Sequence, residues 1–420
     1  MNINNNEFEK QLLLAEETEK ELVSEGVFAS IEKIAFINQM RVMDAFRKFQ
    51  VSESHFCPTS GYGYDDRGRD TLEEIFAYVF ETEDAIVRHN IISGTQALCI
   101  GLFGILRTGD TMFSVTGKPY DTLDEVIGLR GEGMGSLRDY GVNYMENPLS
   151  DGKIDIEAMK KELVAHPEIK MVYIQRSKGY AVRPTLSAKE IGEAAKEAHN
   201  IRPDVFVFVD NCYGEFCDEH EPTYYGADVA VGSLIKNAGG GMAETGGYIA
   251  GTKKAIELIS YRLTTPGIGK EAGASLGQTK SMYKGLFYAP HTVCQALKTA
   301  VFAAKHFEKL GYDVYPRAEE ARHDIIQTVT LGSAEGLLKF CAGIQSGSPV
   351  DSHVVPEAWE MPGYADPIVM AAGAFTSGAS IELSADGPVK APYTAYLQGG
   401  LTYESGKLGI ILAAQKISEE

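Results

Sequence analysis

The feature that most constrains this chain is a series of short apolar runs, separated by segments with helical spacing. The runs lie near residues 85–88, 111–115, 171–175, 205–209, 227–231 and 247–250, and segments 71–80, 95–106, 121–129 and 187–199 read as helices. Runs this short and uniformly apolar are buried on both faces, which calls for a largely parallel sheet covered by helices on either side. The sequence therefore predicts an α/β domain. In such sheets, ligands bind just beyond the carboxyl ends of the strands.

On either side the texture differs. Ile31, Ile34, Ile37, Met40, Val42 and Phe46 recur at near-helical spacing, so residues 6–49 read as one long helix or two broken ones. A Gly/Tyr/Asp stretch at 59–70 reads as a loop. Residues 275–310 form a helical segment running through 292–307, after which 324–331, 338–342, 368–371 and 380–383 look like strands of a smaller α+β domain. A chain of 420 residues is expected to divide into two or three folding units. The division read here is an N-terminal helical segment at 1–60, a large α/β domain at 61–290 and a small C-terminal α+β domain at 291–420, which starts with a long linking helix.

The 39 basic and 58 acidic side chains leave a net charge of −19. That argues against nucleic-acid or anionic-membrane partners, but not against a small anionic ligand in a local site. The N-terminal MNINNNEFEKQLLLAEETEKEL is charged and has no apolar signal core, and no run approaches the roughly 20 apolar residues that span a bilayer. A cytoplasmic location is expected. Cys57, Cys99, Cys212, Cys217, Cys294 and Cys341 form no CxxC pair, and the nine histidines form no HExxH-like cluster. Reduced cysteines and no metal site are expected.

The chemistry gathers at strand ends. Val205-Phe206-Val207-Phe208-Val209-Asp210-Asn211 is a buried-strand pattern ending in a carboxylate. Burial raises such a carboxyl's pKa unless a positive partner, such as a protonated pyridine nitrogen, holds it ionised. A helix N-cap is the alternative. Lys236 follows 26 residues later in GSLIKNAGGG, a loop too glycine-rich to be a helix interior. Partial desolvation lowers a lysine's pKa and makes it nucleophilic; a solvated surface lysine is the alternative. Ser233 adds a hydroxyl nearby, and Gly239-Gly240-Gly241 would let the backbone approach a ligand closely.

Ser93-Gly94-Thr95 opens a helix, where free N–H groups and the helix dipole favour a phosphate, or where an ordinary cap sits. Tyr120, in TGKPYD, would stack on an aromatic ring or pack as a turn residue. The loop GYGYDDRGR, with Tyr64, Arg67 and Arg69, could reach a phosphate in its own or a neighbouring subunit, or be simply solvated. A phosphate cradle, a ring stack, a carboxylate and an amine in this order meet the needs of pyridoxal 5'-phosphate (PLP). Its aldehyde is held by an amine as a Schiff base, and its ring acts as an electron sink when the nitrogen is protonated.

That order resembles the fold-type I PLP-dependent enzymes of the aspartate aminotransferase superfamily, and more narrowly their Cys/Met-metabolism branch. It is most similar there to the methionine γ-lyase-related group known as aluminium resistance proteins, carbon–sulfur lyases. The runs that carry the likeness are GYGYDDRGRDTLE, HNIISGTQAL, TGKPYDT, VFVDNCYGEF, GSLIKNAGGG with ETGGYIAG, GLFYAPH, and IELSADGP with YLQGGLTYE, spanning Gly61 to Glu404. The resemblance implies a large domain with a mostly parallel sheet covered by helices and a smaller α+β domain. It implies that Lys236 forms the internal aldimine, Asp210 binds the pyridine nitrogen, Gly94, Thr95 and Ser233 hold the phosphate, and Tyr120 stacks on the ring. It further implies that Tyr64 and either Arg67 or Arg69 complete the site of a partner subunit, in a homo-oligomer that is at least a dimer and by habit of the branch a tetramer.

Two departures stand out. Superfamily members grip the substrate carboxylate with a small-domain arginine, yet no arginine occurs from residue 331 onward. Lys390 lies where the group's arginine is expected, with Arg322 or Arg262 as alternatives. The strand ending Ile174-Gln175-Arg176-Ser177 also lacks the usual asparagine-proline run that contacts the ring hydroxyl, leaving Gln175 or Arg176 to substitute. The resemblance implies a lyase acting on a sulfur-containing amino acid of the cystathionine, cysteine or methionine type by α,β- or α,γ-elimination, with Lys236 moving the α-proton and Tyr120 protonating the leaving sulfur. An aminotransferase and a non-catalytic PLP-binding regulatory protein are the alternatives.

Overall fold

The computed structural model describes residues 6–361 and 366–419. The start of the expected N-terminal segment, residues 1–5, lies outside the described residues. In chain order the helices and strands are α1 (Asn6–Ser24), α2 (Val27–Lys48), α3 (Arg67–Val79), β1 (Asp84–Arg88), α4 (Gly94–Ile105), β2 (Thr111–Ser114), α5 (Asp124–Ile127), β3 (Asn143–Glu146), α6 (Ile156–Ala165), β4 (Ile169–Gln175), α7 (Ala188–Ile201), β5 (Phe206–Asp210), β6 (Val229–Ser233), β7 (Gly247–Gly251) and α8 (Lys253–Leu263). They continue with α9 (Thr279–Lys309), β8 (Asp313–Tyr315), β9 (Gln327–Thr330), α10 (Ala334–Ser346), β10 (Ile368–Ala371), β11 (Ser384–Pro388), β12 (Thr394–Gln398) and α11 (Tyr403–Ser418).

Seven strands form one sheet in the order β1-β7-β6-β5-β4-β2-β3. The strands from β6 to β3 run parallel, while β7 pairs antiparallel with both β6 and β1. Side chains along each strand alternate between two helical layers, as the two-residue period demands. Tyr173 and Phe208 pack toward α4 and α8, whereas Val172, Ile174, Val207 and Val209 pack toward α6 and α7. Burial on both faces explains why β4 and β5 read as continuous apolar runs.

The second sheet is antiparallel, in the order β10-β11-β12-β9-β8. The expected strand at 338–342 is instead part of α10. Leu337, Phe340, Cys341 and Ile344 are its buried face at helical spacing, and Ser333 caps it by accepting the Gly336 N–H at 3.0 Å. The expected strand at 380–383 is a turn, and the strand follows it as β11; β3, β8, β12, α6, α8 and α11 are additional to the sequence reading.

The expected division between residues 290 and 291 falls inside α9, which packs on elements of both parts. The N-terminal helices break at Gly26, where φ is +75°. Both then lie on α9 and α11, held by apolar packing and by pairs such as Lys309–Glu21 at 2.7 Å and Lys407–Glu19 at 2.8 Å. Among the described residues no helix is long and apolar enough to cross a membrane.

Candidate active site

A cavity of about 270 Å³ opens beyond the carboxyl ends of β4, β5 and β6, and strands β10, β11 and β12 contribute its far wall. Register places Gln175 beside Asp210, and both line the cavity together with Ser233, Lys236, Tyr120 and the first residues of α4. Eight positions singled out from sequence therefore share one space: Ser93, Gly94, Thr95, Tyr120, Gln175, Asp210, Ser233 and Lys236.

Asp210 ends β5 rather than capping a helix, and it is 6% exposed. Burial raises its carboxyl, against the charge of Lys236 and a hydrogen bond from the Cys212 N–H. Lys236 differs from expectation. Burial lowers its pKa, but the acidic groups around it, Cys212, Tyr213, Asp210 and Glu215, outweigh burial and raise it overall. Cys212 and Tyr213 are themselves pushed up, and Glu215 rises to about 8. A second cation beside Asp210 would relieve this hold on the ammonium.

The Lys236 loop is fixed from beneath. Asn237 donates to the carbonyls of Tyr213 at 3.0 Å and Glu215 at 3.1 Å. The glycine run after it is needed for packing against the protein itself: Gly240 against α9, Gly239 against its own loop and Gly241 against Leu401. A Cβ on Gly240, whose φ is +54°, would lie 2.4 Å from the Gly285 carbonyl oxygen, and one on Gly239 would lie 1.6 Å from that of Leu234.

The N-terminus of α4 faces the cavity. Ser93 caps it by accepting the Gln96 N–H at 3.0 Å, and the Thr95 hydroxyl meets that of Thr122 at 2.9 Å. A Cβ on Gly94 would stand 3.3 Å from Cys212 Sγ and 3.5 Å from Ser233 Cβ, so its absence keeps this cradle open. Main-chain donors at a helix N-terminus beside two hydroxyls suit a phosphate. Gln175 Oε1 is buried without a partner, ready to accept from a ring hydroxyl. A phosphate cradle, an unpaired acceptor, a buried carboxylate and an amine fit PLP.

Other expected positions lie elsewhere. Arg176 is one residue from Gln175 but points the opposite way, into Asn211 at 2.7 Å, Asp218 at 2.7 Å and Glu221 at 3.2 Å. Arg69 is buried and spent on its own chain, donating to the carbonyls of Gly63, Gly273 and Glu271 at 2.6–3.0 Å. Tyr64 and Arg67 are exposed and do not line this cavity. Lys390 pairs with Asp366 on the surface, and Arg262 lies over the Phe103 ring. Arg322 donates to Gln327 at 2.6 Å and lines a separate cavity with Lys178 and Asp324. The cation expected for a substrate carboxylate is therefore not at hand: Lys236 is the one cationic side chain among the described residues lining the main cavity.

Tyr213, Tyr180, Asp386 and Gln398 line the cavity and were not anticipated. Asp386 and Gln398 fall in IELSADGP and YLQGGLTYE, so the signal was a resembling run, without a rule for which alternate residue turns inward.

The seven-stranded sheet, the smaller antiparallel sheet and the cavity between them define a fold-type I PLP-dependent enzyme fold. A PLP-dependent protein from Escherichia coli, YhfS, shares that fold at 15% identity, with a TM-score of 0.61 over 91% of this chain and 96% of that one. The chain belongs to the methionine gamma-lyase family, whose model matches residues 12–418. It is 52% identical over 397 residues to YnbB of Bacillus subtilis (strain 168), covering 94% of each. It is also similar to a crystal structure from Clostridium novyi NT described as a carbon-sulfur lyase involved in aluminum resistance: 48% identity, a TM-score of 0.93, and coverage of 97% of this chain and 96% of that one.

Proposed function

We propose that the protein is a PLP-dependent carbon–sulfur lyase acting on a sulfur-containing amino acid of the cystathionine, cysteine or methionine type. The observation that carries the reading is the convergence of Lys236, Asp210 and the α4 N-terminus on one cavity. Family membership and the carbon–sulfur lyase relative support the reaction class.

Bound there, PLP would supply an aldehyde that condenses with amines and a protonated ring that withdraws electrons from the substrate's Cα. Asp210 keeps the ring nitrogen protonated. Gly94, Thr95 and Ser233 hold the phosphate, with Ser93 capping the helix that presents it. Gln175 accepts from the ring hydroxyl, and Tyr120 covers the ring. Lys236 Nζ takes the Cα proton, and the electron pair left behind drives the elimination. The Tyr120 hydroxyl donates to the sulfur as it departs with the bonding electrons. We assign Tyr64 and Arg67 to a neighbouring subunit's phosphate, in a dimer or larger homo-oligomer. Tyr64 is exposed on the loop before α3 and Arg67 on the first turn of α3, and Arg69 braces that loop from inside.

Purified protein should absorb visible light, borohydride should fix the cofactor onto Lys236, and Lys236→Ala should be colourless. L-Cystathionine, L-cysteine or L-methionine should release a keto acid. A sample that stays colourless after incubation with PLP overturns the cofactor assignment. A coloured sample that releases no keto acid from any of the three overturns the lyase assignment.

A further inference from the structure

The small-domain wall of the cavity holds a carboxylate that the chemistry above does not use. Ser384 and Asp386 alternate along β11, so both turn to the cavity, while Gly387 turns toward Leu337 of α10. Asp386 is central in its sheet, paired with Met370 on one side and Tyr396 on the other. It is 8% exposed, and its Oδ1 is buried without a hydrogen-bond partner. Tyr180, Gln398 and Ser384 share the cavity lining with it, alongside the apolar side chains of Met370 and nearby alanines.

A buried carboxylate with an orphan oxygen is costly to keep. Burial pushes its carboxyl up to about 7, against the pull of Tyr180, Gln398 and Lys236. Lys236, the one cationic side chain lining the cavity among the described residues, already faces Asp210. Asp386 would repel a substrate carboxylate and attract a cation.

We propose that Asp386 is a specificity-determining residue that receives a primary ammonium at the far end of the substrate, selecting amino acids whose sulfur substituent carries an amine. The apolar wall beside it takes the methylenes between sulfur and nitrogen. This deepens the lyase reading and rests on it.

L-Lysine and L-norleucine test the subsite without turnover, since neither has a leaving group to eliminate. In calorimetric titrations of the PLP-loaded protein, L-lysine should bind about tenfold or more tighter than L-norleucine. In Asp386→Asn, which keeps the shape of the side chain, that ratio should fall to about one with L-norleucine unchanged. Equal binding of the two by the wild type overturns the proposal without needing a variant, as does a preference that survives in Asp386→Asn. Keto-acid release from S-(2-aminoethyl)-L-cysteine and S-propyl-L-cysteine tests the lyase reading separately. Release from neither of these nor from the three amino acids named above sinks that reading, while the binding ratio still decides the role of Asp386.

Discussion

The Lys236 ammonium lies 4.3 Å from the centroid of the Tyr213 ring, on the loop that leaves β5 directly after Asp210. The amine and the carboxylate are thereby held by two adjacent strand ends rather than by a single flexible loop. Tyr213 itself has φ +71°, and its hydroxyl meets Ser380 at 3.0 Å, so the same residue also touches the small domain.

Asn237 is the clamp that keeps this geometry. Asn237→Ala leaves two carbonyls, on Tyr213 and Glu215, without their donor. Each buried unsatisfied group costs about 1–3 kcal/mol, so the variant should lose about 2–6 kcal/mol in urea unfolding. A loss below about 0.5 kcal/mol, the range of a surface substitution, would show that the clamp is dispensable.

Glu215 should make stability fall as pH rises. Burial raises its carboxyl from 4.5 to about 8, ahead of the opposing backbone and Tyr248 hydrogen bonds. The folded chain therefore holds this proton more tightly than the unfolded chain does. Its stabilising effect is complete below about pH 4.5 and is lost as pH climbs to about 8. Glu215→Gln removes the titration, so wild type should weaken relative to the variant by up to about 4 kcal/mol between pH 5 and 8. Parallel pH profiles for the two proteins would refute this.

Arg69 and Arg67 should separate cleanly. Arg69→Lys replaces a fork that reaches three carbonyls with a single point charge, and should destabilise the protein by about 2–4 kcal/mol. Arg67 is exposed and bonds to Ser54 at 3.1 Å, so Arg67→Ala should change stability by less than about 0.5 kcal/mol. Thermal unfolding of both variants reads the contrast.

The proposed sharing of sites between subunits predicts complementation. Arg67→Ala and Lys236→Ala would each be inactive alone, but a hybrid dimer would contain one site with both residues intact. Co-refolding equal amounts should restore about a quarter of wild-type activity, because half the dimers are hybrids with one good site of two. No recovery, with hybrids demonstrated by tagged pull-down, would place Arg67 outside the neighbouring site.

Much of the fold was legible because burial on both faces leaves a direct mark on composition. The runs that became β1, β4, β5 and β7 were found within a residue or two, and the end of β5 delivered Asp210. The small domain was less legible because strands such as β9, β11 and β12 are buried yet carry many polar residues, and Leu338–Ala342 is apolar enough to suit either a strand or the helix it joins. The glycine run after Lys236 was seen, but its reason was not: close contacts with Leu234, with Gly285 of α9 and with Leu401 set it.

By itself the sequence determined the layered α/β order and the placement of a carboxylate, a lysine and a helix N-terminus at successive strand ends, since each follows from local pattern. Only the tertiary structure decided which neighbours face inward. Gln175 enters the cavity and Arg176 does not; Arg69 is spent within its own chain and Arg67 is not; Asp386 meets the same space as Lys236 across 150 residues. Strand register and domain packing set those choices, and a slip of one residue reverses them.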